Sequence, residues 1–135
     1  SVFEEVEGER GARAKALVFD ALRNLDAWKR ASSLSVDVLG LVGRCSNFAF
    51  RDQVSQSSLS VAPNLAERCA RESVKDRIWF LVTATGSCME CWTQLLIGSE
   101  ANLIDQEQGK KLAKEAEEVA AMIAGLIKYF RSKES

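Results

Sequence analysis

The sequence predicts an all-α protein, an antiparallel up-down four-helix bundle, on three observations. Apolar and small residues recur at alternating steps of three and four along most of the chain, the period of one helix face. Pro occurs once and Gly eight times in 135 residues, too sparsely for an all-β chain, which needs a turn about every 8–12 residues. The polar stretches between periodic segments are short, and short loops between amphipathic helices make neighbours antiparallel. A chain of this length forms one domain, since a second core would need roughly 100 residues of its own. It buries about two thirds of its unfolded surface and needs no disulfide or metal to hold it.

Residues 1–9 read as a disordered, solvated acidic tail, with Glu4, Glu5, Glu7 and Glu9 and no base; the bundle takes residues 10–135. The first helical pattern runs from Arg10 to Val42 along Ala14, Val18, Ala21, Leu25, Trp28, Ala31, Leu34, Val38 and Leu41. It is either one long helix or two with a break near Asn24, a residue suited to an N-cap. Gly40, Gly43, Ser46 and Asn47 mark the turn that follows.

The segment from Phe50 to Arg71 carries signals of both kinds. Its serines weaken helix propensity, and Leu59 and Val61 alternate with polar neighbours as in a strand. Yet Phe50, Val54, Ser58, Val61, Leu65 and Cys69 are spaced 4, 4, 3, 4 and 4 apart, and this longer pattern decides for a helix. Pro63 removes the bond to the Leu59 carbonyl, so a kink is expected there.

The third helix begins at Ser73 as cap, with Asp76 as its capping-box partner. Val74, Ile78, Leu81, Thr85, Cys88, Trp92 and Leu95 form one stripe, and Phe80, Ala84, Ser87, Cys91 and Gln94 a second beside it. So broad a face implies neighbours on two sides. With Trp79 and Trp92 pointing in different directions, it predicts a homo-oligomer. Gly98 to Asn102 reads as a turn. The fourth helix has Asp105 as cap, Gln108 as box partner, and a coiled-coil-like seam of Leu112, Ala116, Val119, Ile123, Leu126 and Phe130. Lys128, Arg131 and Lys133 suit the negative end of its dipole.

The chain has no His, which removes the commonest general base and metal ligand together. No nucleophile therefore has its usual activator, and Glu67 and Glu90 are the only carboxylates set among apolar residues. No catalytic residue and no cofactor are expected. Cys88-Met89-Glu90-Cys91 is a C-x-x-C, and Cys45 and Cys69 bring the thiols to four. Reactive or metal-binding pairs normally open a helix or sit in a loop. This one lies mid-helix on the seam, so the thiols read as small core fillers and no metal is expected; zinc is the alternative. No apolar run approaches 18 residues, so no membrane partner is expected. With no apolar signal segment and no disulfide-scaffold spacing, the expected compartment is the reducing cytoplasm.

Two polar ladders stand out. Ser60, Asn64 and Glu67 share one helix face, and Ser87, Glu90 and Gln94 another. Facing each other, they would satisfy their donors and acceptors as a structural network that fixes register. Basic residues cluster at Arg68, Arg71, Lys75 and Arg77, at Lys110, Lys111 and Lys114, and at the C-terminal end. The net charge is −1, but outside the first nine residues the balance is +3. With no aromatic platform among them, these cations suit phosphate contacts and no base stacking.

Several segments then resemble one family. Leu25-Asp26-Ala27-Trp28-Lys29-Arg30-Ala31 resembles the opening of the four-helix-bundle proteins encoded in intervening sequences of bacterial 23S ribosomal RNA genes. Gln53-Val54-Ser55-Gln56 and Ser60-Val61-Ala62-Pro63-Asn64-Leu65-Ala66-Glu67 resemble its second-helix signature. Phe80-Leu81, Ala84, Gly86-Ser87, Glu90 and Gln94-Leu95 resemble that of its third helix. The resemblance implies assembly as a ring, a homopentamer, and binding of structured ribosomal or intervening-sequence RNA. It also implies a relation to the accessory protein of diversity-generating retroelements. It brings no catalytic residue. The RNA contacts expected are Arg68, Arg71, Lys75 and Arg77, then Lys110, Lys111 and Lys114, with a scaffold for protein partners and no nucleic acid as the alternative. The chain departs from the family pattern at Ser55, Gln56 and Thr85, where bases are usual, at Arg68, where Gly is usual, and in a proline one position later.

Overall fold

The computed structural model describes residues 1–7 and 16–134, and every regular element among them is helical. They are α1 (Val2–Glu7), α2 (Ala16–Arg23), α3 (Asp26–Val42), α4 (Phe48–Ala70), α5 (Val74–Glu100) and α6 (Gln106–Arg131).

The first helical pattern resolves into two helices. Asn24 is not a cap: its N–H closes α2 on the Asp20 carbonyl at 3.1 Å. Leu25 takes the extended N-cap position of α3 without a side-chain cap bond. The part of the pattern before Ala16 lies outside the described residues. Over its described part the disordered tail is corrected to α1, whose Phe3 sets its ring edge-on to Trp28 at 6.0 Å. That aromatic contact contributes about 0.5–1.5 kcal/mol.

The caps read at Ser73 and Asp105 are in place, and Asn47, read only as part of a turn, caps α4 as well. Asn47 accepts from Phe50 N–H at 3.0 Å, Ser73 from Asp76 N–H at 3.0 Å, and Asp105 from Gln108 N–H at 2.9 Å. Helix α4 runs continuously through Pro63, which lies on its exposed side. The turn read over Gly98–Asn102 is displaced: α5 continues to Glu100, and the reversal falls at Ala101–Asp105 with Asn102 at φ 58°. Gly98 is inside the helix because the Phe50 ring lies where its side chain would be.

The core has two layers, each drawing on α3, α4, α5 and α6. One holds Ala27, Ala31, Val61, Leu65, Leu81, Ala84, Cys88, Val119 and Ile123. The other holds Leu34, Val38, Val42, Val54, Cys91, Leu95, Ala113 and Ala116. Fully burying one Leu or Val contributes about 1.5–3 kcal/mol, so these seams outweigh the poor intrinsic propensity of the serine-rich α4. Ser35 Oγ donates to the Ser58 carbonyl at 2.7 Å, joining α3 to α4. Arg30 joins α3 to α6: its Nε donates to Glu115 at 3.0 Å and its Nη2 to both Glu115 and Glu118. The guanidinium holds the Glu118 carboxyl below the usual carboxylate range.

Candidate nucleic-acid interface

Four cations gather at one end of the helices. Arg68 is in the last turn of α4, Arg71 caps it, and Lys75 and Arg77 lie in the first turn of α5. The pivot is Phe130, buried in the last turn of α6. The Arg68 guanidinium lies 5.5 Å from its ring centroid and that of Arg77 lies 5.6 Å away. Each such contact contributes about 0.5–2 kcal/mol and fixes a long side chain. Arg77 Nε also donates to the Arg71 carbonyl at 2.7 Å, tying down the α4–α5 turn. Arg71 stacks on Phe80 at 4.9 Å and donates to Glu67 at 2.8 Å. Arg68 Nη2 approaches Cys69 Sγ at 3.2 Å, while its Nε is buried without an acceptor among the described residues. Arg71 and Lys75 are exposed; Arg68 and Arg77 are half-buried. Because Phe130 belongs to this end, the last turn of α6 brings Lys128 and Arg131 to it as well, with Lys133 just beyond the helix.

Lys110, Lys111 and Lys114 do not join this group. They occupy the first turns of α6, and 16 or more residues at 1.5 Å each put them roughly 24–30 Å from Phe130 along the helix. They are exposed, and Lys111 and Lys114 line a groove with Asp37, Glu115 and Glu118. Those carboxylates offset their field.

The polar ladders meet, with two corrections. Ser60 and Ser87 share a hydrogen bond at 2.7 Å, and Asn64 Nδ2 donates to the Ser60 carbonyl at 2.7 Å. Gln94 accepts from Ser57 at 2.6 Å, a partner outside the predicted set. Glu67 is not in the network but pairs with Arg71 four residues on. Glu90 is exposed and lines a shallow polar cleft with Gln53 and Gln56. Three residues past Ser87, it is turned about 60° toward water, which a carboxylate needs. These two carboxylates therefore lie apart, on the surface.

Cys88 and Cys91 are buried in the core, while Cys45 and Cys69 are partly exposed, and all four are free thiols. Burial, with Cys91 beside it, pushes Cys88 up to about 12, and burial pushes Cys91 up to about 11. Such thiols are poor nucleophiles. Among the described residues no three His, Cys, Asp or Glu side chains converge on a metal position. Alkylation of the native protein is therefore expected to label Cys45 and Cys69 and to spare Cys88 and Cys91 until denaturant is added, as mass mapping would read. The unfolded chain ionises its thiols near pH 9, before the folded one. Stability is thus expected to fall as pH rises from 9 toward 12, and less steeply in the Cys88→Ala/Cys91→Ala variant.

The sequence model of the 23S rRNA-intervening sequence protein family matches residues 23–125. The chain belongs to this family. No curated protein sequence matches it. The matched segment takes in α3, α4, α5 and most of α6. Within it, the Thr85 hydroxyl donates to the Leu81 carbonyl at 3.0 Å, and the Ser55 carbonyl accepts from the Ser58 hydroxyl at 3.0 Å. The cationic end of this family member rests on the arginines around the α4–α5 turn. Phe130 as their pivot was not legible, because an aromatic on the seam reads only as core. Ser57 and the Arg30–Glu115–Glu118 set were also missed. The second had a signal, two carboxylates three residues apart on α6.

No helix among the described residues is long and apolar enough to cross a membrane.

Proposed function

We propose that this chain is a non-enzymatic, RNA-associated protein: an up-down antiparallel four-helix bundle that assembles as a homopentameric ring and binds structured RNA through its phosphates. The up-down reading rests on pairs that run in opposite sequence order. Phe50 lies by Gly98, Ser57 by Gln94 and Ser60 by Ser87; Ser99 lies by Gly109 and Trp92 by Glu117. The RNA reading rests on one observation, the gathering of Arg68, Arg71, Lys75 and Arg77 with the basic end of α6 around Phe130. Guanidiniums held on aromatic faces lose less freedom when a phosphate docks, and the repeat of the patch around a ring would concentrate a weak field. Free thiols suit a reducing cytoplasm. Kinship with the accessory proteins of diversity-generating retroelements belongs to the same reading.

Fluorescence anisotropy with a structured RNA tests it. Affinity is expected to fall steeply between about 50 and 200 mM salt, and each phosphate contact removed should lower the salt slope by about one. Arg71→Gln/Lys75→Gln should therefore weaken binding and reduce the slope by about two per subunit engaged, while Lys110→Gln/Lys111→Gln should change little. A flat salt response from an intact assembly would favour a second reading, a scaffold for a protein partner. That reading is supported by the apolar residues left exposed along α5.

A further inference from the structure

Helix α5 has a third face. Trp79, Val82, Gly86, Met89, Thr93 and Ile97 recur at steps of 3, 4, 3, 4 and 4, on the side opposite its buried residues. Trp79 is 61% exposed, Val82 47%, Met89 62% and Ile97 56%, and a side chain built at Gly86 would meet nothing. The stripe is about 27 Å long at 1.5 Å per residue. A monomer seldom leaves an apolar strip of that length to water, and the step pattern is that of a helix laid against a partner helix.

A second uncovered face lies elsewhere on the bundle. The Ser35–Ser58 bond draws α3 and α4 together, and Leu39, one turn beyond Ser35 on the same side of α3, and Leu59, beside Ser58 on α4, form the outer lip of that seam. Both are exposed, as is Phe48 at the start of α4.

We infer that the α5 stripe of one copy seats on the α3–α4 lip of the next copy, a contact between two different faces of the same chain. The inference rests on the ring reading above and specifies it. One contact of this kind covers both bare faces, whereas a two-fold pairing of α5 with α5 leaves the α3–α4 lip uncovered. Charge favours the same choice. A two-fold axis through the middle of the stripe would bring Glu90 against its own copy, a like-charge contact. In a closed ring of copies related by rotation, with their helices along the axis, like ends lie side by side. The stripe ends on Glu100, and at that end the second face carries Arg44 and Arg51. That end of the stripe then meets the opposite sign.

Light scattering on single and mixed variants tests this. Met89→Arg breaks only the stripe and Leu59→Arg only the lip; both positions are exposed, so the fold is retained, as circular dichroism would verify. Ile97→Lys and Leu39→Lys form a second such pair. The wild type is expected to have a mass several times the 14.9 kDa of one chain, and each variant alone to have the mass of one. Mixed in equal amounts, Met89→Arg and Leu59→Arg should give a dimer of twice 14.9 kDa, because each retains the face the other lacks. If Leu59→Arg assembles like the wild type while Met89→Arg does not, α5 pairs with α5 and the inference fails while the assembly stands. If neither variant disturbs assembly, the faces are wrong. A monomeric wild type would overturn the ring reading itself, and leave the stripe to a different partner.

Discussion

Leu81→Ala is expected to destabilise the fold by about 2–5 kcal/mol, the range for truncating a fully buried leucine where the surroundings cannot collapse. Leu81 is completely buried in the layer that holds Ala31, Leu65, Cys88 and Ile123, so all four long helices border the cavity it would leave. Domains of this kind are stable by about 5–15 kcal/mol, and the loss is a large share of that. Urea denaturation at fixed protein concentration would read it as a lower midpoint with an unchanged slope. Leu59→Ala, on the exposed side of α4, should cost well under half as much. Equal losses at the two positions would mean that the layer is not the core.

Gly109→Ala is expected to destabilise by about 1–3 kcal/mol, the cost of overpacking, although helix propensity alone favours Ala by up to about 1 kcal/mol. Packing decides the sign. A Cβ at Gly109 would run into Ser99 Oγ and come within 3.0 Å of Ile104 Cδ1. The Ser99 hydroxyl cannot readily move, being buried and bonded to the Leu95 carbonyl at 2.8 Å. Adding Ser99→Ala should recover most of the loss, because its Cβ stands at 3.4 Å. Gly125, further along α6, has nothing within 4 Å of an added Cβ, and Gly125→Ala should stabilise by about 0.5–1 kcal/mol. Chemical denaturation of the three variants checks the opposite signs. A stabilised Gly109→Ala would show that α5 and α6 are not in close contact there.

The sequence was most informative where one face of a helix is apolar and the others are not. Helix α6 has that pattern, and its cap, seam and length could be read directly. Helix α4 was readable in spite of its serines, since the buried Ser57 and Ser58 turn their hydroxyls onto backbone carbonyls one turn back. Gly98 misled because a glycine near a helix end signals a turn locally, while its use here, making room for the Phe50 ring 48 residues earlier, is not local. Helix α5 misled differently. With oily or small residues on most of its circumference, pattern alone could not separate the side that packs inward from the side left bare. The cationic end was half legible: the cluster around Arg71 is contiguous in sequence, but its union with the tail of α6 needs the third dimension.

The Arg30 clamp has a further bearing. Helices α3, α4, α5 and α6 are stitched one to the next by short reversals, whereas α3 closes on α6 only through space, beside an open groove, with a water-facing guanidinium spanning the seam. Surface ion pairs of that sort are weak and yield to salt. The staves of this cask are therefore not equally fast: α3, with α1 and α2 riding on it, is the one that can lift first, and raised ionic strength loosens its hoop.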